Sequence, residues 1–258
     1  MSGPGPLDLA GAALVAVLLA GAIMMAVLVE WRARRGPRPW SALDVGLAFL
    51  ALLWVSATLV TAAWRLSTGS WFPPADPPVL PALLATAAGG LASTAVVLRR
   101  AGWAGAGFGP VPWRWVGRAV GCVVPFLGLS VGWVLLLERL GMPVDEQEIL
   151  GLIRDGPDGL IVAVSVAYGA LAAPVFEELL FRGFAIPPLA RHIGAGPAIL
   201  LTAVIFGGLH GSDPAAVVPL TALGVALGWL RVRSGSLWPP LALHVVNNVV
   251  AIAIALLA

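Results

Sequence analysis

The chain has 258 residues, of which 59% are hydrophobic and 11% charged. A soluble domain of this length carries about 25% charged residues, so there is too little polar surface to cover a water-soluble globule, and lipid must be the solvent for much of the chain. The formal charge of +2 is too small for nucleic-acid binding. The single cysteine, Cys122, excludes an internal disulfide framework and a thiolate-rich metal site, and reads as a core residue within an apolar run.

In chain order, about eight apolar segments approach the ~20 residues that span a bilayer: 8–30, 41–65, 80–98, 118–137, 160–181, 196–210, 214–232 and 237–257. The expected fold is an all-α, polytopic transmembrane bundle of about eight helices. The first segment lacks a basic leader and has arginines after it, which favours an uncleaved span over a signal peptide. Two regions follow: residues 1–159, a scaffold of unassigned role, and residues 160–258, where the chemistry concentrates.

All fifteen basic residues are arginine. If the spans alternate, Arg32, Arg34, Arg35, Arg38, Arg99, Arg100, Arg114, Arg118, Arg191, Arg231 and Arg233 share one side, which the positive-inside rule makes cytoplasmic. Asp76, Asp145, Glu146, Glu148, Asp155, Asp158 and Asp213 fall opposite. Trp31, Trp40, Trp64, Trp71, Trp229 and Trp238 flank the spans, at the depth where indole rings settle. Residues 145–155 have apolar positions at helical spacing, consistent with a surface-lying helix or a solvated loop helix. Membrane lipid is therefore one partner, and a multi-pass protein of a bacterial cytoplasmic membrane is the expected setting. Nothing in the sequence fixes an oligomeric state, and Gly224-xxx-Gly228 offers a packing face within or between subunits.

Ionisable groups at mid-bilayer cost about 2.5–3.5 kcal/mol each on insertion scales, so their presence needs a reason. Span five contains Glu177, Glu178 and Arg182, in PVFEELLFRG; span six ends in Phe206 and His210, in FGGLHG; span eight carries His244, Asn247 and Asn248, in HVVNN. Glu178 and Arg182 stand four apart with the acid first, the favoured order for a helix ion pair, and read as a structural lock. Glu177 lies about 100° around the helix from Glu178 and remains available for chemistry. His210 shares a face with Phe206, and His244 with Asn248. Each histidine or asparagine taken singly is explained by an interhelical hydrogen bond worth about 0.6 kcal/mol, but the set with an unpaired glutamate is not. His192, beside Arg191 at a span end, reads as interfacial.

EELLFR, FGGLH and HVVNN resemble the EExxxR, FxxxH and HxxxN motifs of the CPBP (CAAX protease and bacteriocin-processing, or Abi) family, intramembrane proteases related to type II CAAX prenyl endopeptidases. Order and spacing agree across residues 160–258. The resemblance implies a hydrolase that cleaves a peptide bond of a membrane-associated or lipidated substrate. Glu177 would be the general base, His210 would help hold the water, and His244 with Asn248 would donate hydrogen bonds to the oxyanion. It also favours a mechanism without a cofactor. Glu177, His210 and His244 would nevertheless form a two-histidine, one-carboxylate zinc set as in intramembrane metalloproteases, so metal dependence stays open. The competing readings are a non-catalytic scaffold, immunity or partner-binding protein and, against the absence of an internal repeat, a proton-coupled transporter. One geometric tension stands: His210 falls near the outer end of span six and His244 nearer the inner end of span eight. To meet, the helices must tilt or span six must be offset inward, or the Ser212–Asp213–Pro214 turn must lie sunk in the cavity.

Overall fold

The computed structural model describes Gly21 and residues 40–69, 79–142, 144, 159–210 and 214–257. The described residues are helical throughout, apart from turns and short connections. Among the described residues six helical rods are long and apolar enough to cross a membrane, and a seventh, Ala195–Gly208, is apolar but shorter. These seven coincide with seven of the eight expected segments. The eighth, 8–30, lies outside the described residues except for Gly21, and the 145–155 segment lies outside them entirely. The protein is a multi-pass, all-helical membrane protein.

The chain divides into two units, residues 1–100 and 101–258. The first unit holds α1 (Ala42–Thr68) and most of α2 (Val79–Ala106), whose last residues belong to the second and which breaks at Gly102 with φ of 67°. Asp44, at the start of α1, accepts hydrogen bonds from the Ser41 N–H at 2.8 Å and from Arg100 Nε at 3.1 Å. The carboxylate thus serves the exposed donors of a helix N-terminus and neutralises a buried guanidinium at once.

The second unit contains α3 (Trp113–Gly121) and α4 (Val123–Arg139), which meet at Cys122. Cys122 is exposed, not in the core as its apolar surroundings suggested. In a membrane protein an apolar side chain gains as much against lipid as against protein, so hydropathy does not tell the two apart. After the connection comes a 35-residue rod, Gly159–Ile193. It comprises α5 (Gly159–Ala167), a π-helical stretch Tyr168–Ala172, α6 (Ala173–Glu177), a second π-helical stretch Glu178–Ala185 and α7 (Ile186–Ile193). Then follow α8 (Ala195–Gly208), α9 (Pro214–Ser234) and α10 (Trp238–Leu257).

Small residues let α8 and α9 cross closely. A Cβ on Gly224 would lie 2.9 Å from Ala203 Cα, one on Gly228 2.9 Å from Ile199 Cγ2, and one on Gly207 2.7 Å from the Val217 carbonyl oxygen. Both glycines of Gly224-xxx-Gly228 are therefore used inside the subunit. On its other side α9 packs through Leu223, Leu227 and Leu230 with Leu243 of α10 and with Ala119 and Val123 of α3 and α4. Ile252 of α10 meets Ala170, Val162 and Val166, closing α10 against the 159–193 rod.

Candidate active site

The proline pattern builds the site locally. Pro174 has no N–H for the Ala170 carbonyl, and Pro187 and Pro188 withhold two more donors after the second π-helical stretch. The helix widens before each: the Ala173 N–H reaches back to Tyr168 O and the Ile186 N–H to Phe181 O, each five residues upstream. Such widened turns recur at functional sites because they re-aim side chains without ending the helix. Here they flank the turn that ends in Glu177.

The two glutamates have different surroundings. Glu178 is fully buried, and its Oε1 accepts from Arg182 Nη1 at 3.0 Å. The same oxygen lies 2.9 Å from His244 Nδ1. Arg182 is also fully buried; its Nη2 donates to the Gly224 carbonyl at 3.2 Å, and its guanidinium stands 4.7 Å over the Phe206 ring. The Glu178–Arg182 pair is thus anchored to α9 and to α10, and is not only a lock within one helix. Glu177 keeps 29% of its side chain accessible, and its Oε2 lies 3.6 Å from His244 Nε2. His244 consequently meets both glutamates, one at each ring nitrogen.

His210 Nδ1 lies 2.9 Å from the Phe206 carbonyl oxygen, which can only accept, so that nitrogen carries the proton and Nε2 offers a lone pair. His210 and His244 both lie within electrostatic range of Glu177. Phe206, 1% exposed, connects them: its ring is 5.1 Å from the His210 ring and 5.8 Å from the His244 ring. Asn248 Nδ2 donates to the Gly169 carbonyl at 2.8 Å, which ties α10 to the first π-helical stretch.

These contacts remove the mismatch in depth. With 14 residues, α8 spans about 21 Å at 1.5 Å per residue, well short of the ~30 Å hydrocarbon core. Its Ile199 lies level with Gly228 of α9 and its Gly207 level with Val217–Thr221, and Phe206 reaches the layer of His244. The turn at 211–213 lies outside the described residues.

Two residues join this neighbourhood that the motifs did not single out. Tyr168, the only tyrosine in the chain, interacts electrostatically with Glu177. Asn247 is buried, with its Nδ2 3.4 Å from Asn248 Oδ1 and no partner for its own Oδ1 among the described residues. The chain's single phenol, on the same span as Glu177, is a sequence signal for the first; the second was visible as a polar neighbour of Asn248. Among the described residues no three histidine, cysteine or acidic side chains come together as a metal-ligating group. The Glu177, His210 and His244 donors are not closed around one point.

A buried carboxylate–guanidinium–imidazole network, with a second, accessible carboxylate on the same imidazole, sits within a membrane helical bundle. That arrangement suits a hydrolytic site that holds a water beside an acid and a base. Residues 159–250 match the family model for type II CAAX prenyl endopeptidase Rce1-like proteins. A Bacillus subtilis protein named "Putative membrane peptidase YdiL" is 30% identical over 102 residues, which is 40% of this chain and 39% of that protein. The matched part spans about two fifths of the relative's length. No solved structure matches significantly. Its 159–250 segment is thus similar to the CPBP, or CAAX protease, family.

Proposed function

We propose that the protein is an intramembrane endopeptidase that hydrolyses a peptide bond of a membrane-associated or lipidated substrate by means of a glutamate-activated water. The observation that carries this reading is the placement of His244 between a sealed carboxylate, Glu178, and an accessible one, Glu177. Glu178 holds the ring; Glu177 is left to act on water.

In this mechanism a water between Glu177 and His210 gives its proton to the Glu177 carboxylate while its oxygen bonds to the substrate carbonyl carbon. His210 Nε2 accepts the water's other hydrogen and fixes its lone pair toward the carbonyl. The carbonyl π electrons move to oxygen, where Asn248 Nδ2–H and His244 Nε2–H donate to the oxyanion. Since His244 Nδ1 already donates to Glu178, a donating Nε2–H makes the ring a cation. Two carboxylates, one guanidinium and one imidazolium then sum to zero charge in the buried cluster, the condition under which charges are tolerated there. Collapse of the intermediate breaks the C–N bond, and the proton on Glu177 passes to the leaving amine.

Residues 1–159 serve as scaffold in this reading, and a bacterial cytoplasmic membrane is the setting that the arginine distribution and the bacterial relative support. The test compares new protein N-termini in membranes expressing the wild type or Glu177→Gln at equal level. Products that vanish in the variant establish a protease and reveal its substrate. Identical profiles, in membranes where the wild type is folded and abundant, count for a non-catalytic scaffold.

A further inference from the structure

Among the described residues, one end of the 101–258 unit gathers arginines and indoles without an acid. The turn between α9 and α10, the loop that precedes α3 and the start of α3 meet there: the Leu237 N–H donates to Gly107 O at 2.9 Å and Trp238 Nε1 to Gly109 O at 3.0 Å. Phe108 lies between Trp103 and Trp238, with ring centroids at 5.4 and 5.0 Å. Trp115 of α3 meets Trp229 of α9 at 5.8 Å. Arg114, Arg118, Arg231 and Arg233 stand on these elements, and neither 101–137 nor 214–258 contains an acidic residue.

Arg231 is the unusual member of the group. It is partly buried, its Nε has no acceptor among the described residues, and it forms no ion pair among them. Its guanidinium lies flat against Gly107, so closely that a Cβ there would stand 3.0 Å from Nη2 and 3.1 Å from Cζ. Gly107 also has φ of +105°, so two independent constraints keep this position free of a side chain. A guanidinium drawn out of water with no carboxylate to pair it is costly unless an anion completes the site. The ring belt around it marks the headgroup depth of a bilayer, and basic recesses between helices at that depth suit lipid phosphates.

We propose that the recess formed by Arg231 and the Gly107 backbone, beside the Trp103–Phe108–Trp238 ring stack, binds the phosphate of an anionic membrane phospholipid. Arg231 presents a planar fork to two phosphate oxygens. Exposed Arg114 and Arg233 add long-range attraction, and the flanking rings cover the glycerol and upper acyl chain. This site is separate from the glutamate–histidine cluster, and its test does not depend on proteolysis.

The experiment uses the full chain purified in neutral detergent. Thermal unfolding and native mass spectrometry are recorded with phosphatidylglycerol, phosphatidylcholine or inorganic phosphate at equal phosphate concentration. Phosphatidylglycerol is expected to be retained and to raise the unfolding midpoint, while the other two leave it unchanged. Arg231→Gln should weaken phosphatidylglycerol retention about fivefold, the effect of one arginine near an anionic surface. Arg233→Gln should leave most of it, and Arg231→Lys, which keeps the charge without the fork and guards against a misfolded glutamine variant, should fall between. Equal retention in wild type, Arg231→Gln and Arg231→Lys overturns the proposal. So does stabilisation by phosphatidylcholine to the same degree, or by inorganic phosphate alone, which would make this a free-anion site. Protection by a soluble acidic peptide with no effect of phosphatidylglycerol would overturn it in favour of a protein ligand.

Discussion

His244 is hydrogen-bonded to Glu178, not to Glu177, through Nδ1 at 2.9 Å. A carboxylate beside Nδ1 fixes both the tautomer and the tilt of an imidazole, so the opposite nitrogen is presented in one direction. That direction is toward Glu177 Oε2, 3.6 Å away. Adjacent residues on one helix thereby take different tasks, one holding the ring and one facing the accessible side.

This division predicts different defects for two variants of Glu178. Removing the carboxylate in Glu178→Ala leaves the fully buried Arg182 unpaired, at a cost of about 3–5 kcal/mol. Thermal unfolding in detergent should show the loss directly. Glu178→Gln keeps the shape and an acceptor, so its stability loss should be smaller, while proteolysis falls about 10²- to 10⁴-fold because a neutral amide no longer favours the doubly protonated ring whose Nε2–H donates. A glutamine variant with full activity would refute the orienting role.

Phe206 touches both histidine rings, Phe181 and the Arg182 guanidinium. Phe206→Ala should cost about 3–5 kcal/mol through the cavity it leaves. Phe206→Leu should retain most of the stability but lower kcat, since the two imidazoles lose their common spacer. The discriminating measurement is kcat and unfolding midpoint on the same preparation.

In the proposed mechanism Asn248 donates to the oxyanion, and one of its amide hydrogens is already engaged by Gly169 O. Loss of a single oxyanion donor lowers kcat about 10²- to 10³-fold. Asn248→Ala is therefore expected to reduce kcat by that factor with KM nearly unchanged. A change confined to KM would move the residue from transition-state stabilisation to substrate binding.

Gly224 packs against Ala203 with no room for a side chain. Gly224→Val should destabilise the bundle by about 1–3 kcal/mol through overpacking, and the shifted α9 should carry its carbonyl away from Arg182 Nη2. Hydrogen exchange at α8 and α9 would register the separation.

The water in the proposed mechanism is activated by a carboxylate without a Lewis acid. Proteolysis in detergent should therefore survive prolonged dialysis against a strong zinc chelator. Loss of activity that returns on adding zinc would replace the glutamate mechanism with a metal-assisted one.

The sequence by itself determined the membrane setting and the helical spans, because a bilayer demands long apolar runs whose backbone polar groups are satisfied within each helix. It also singled out Glu177, His210, His244 and Asn248, since few polar groups occur inside the spans of residues 160–258 and each stands out against lipid-like neighbours. A straight α-helix reading set Glu177 and Glu178 100° apart and coupled Glu178 only to Arg182. Tertiary structure decided that His244 engages both, by widening the helix on either side of α6 and bringing α10 alongside. It also decided that the short α8 stops at the layer of His244, that Gly224 and Gly228 pack within the subunit, and that Cys122 faces outward. These depend on which helix lies beside which. Hydropathy cannot encode that where lipid and protein neighbours are equally apolar, so it is set by close packing and by hydrogen bonds between residues far apart in the chain.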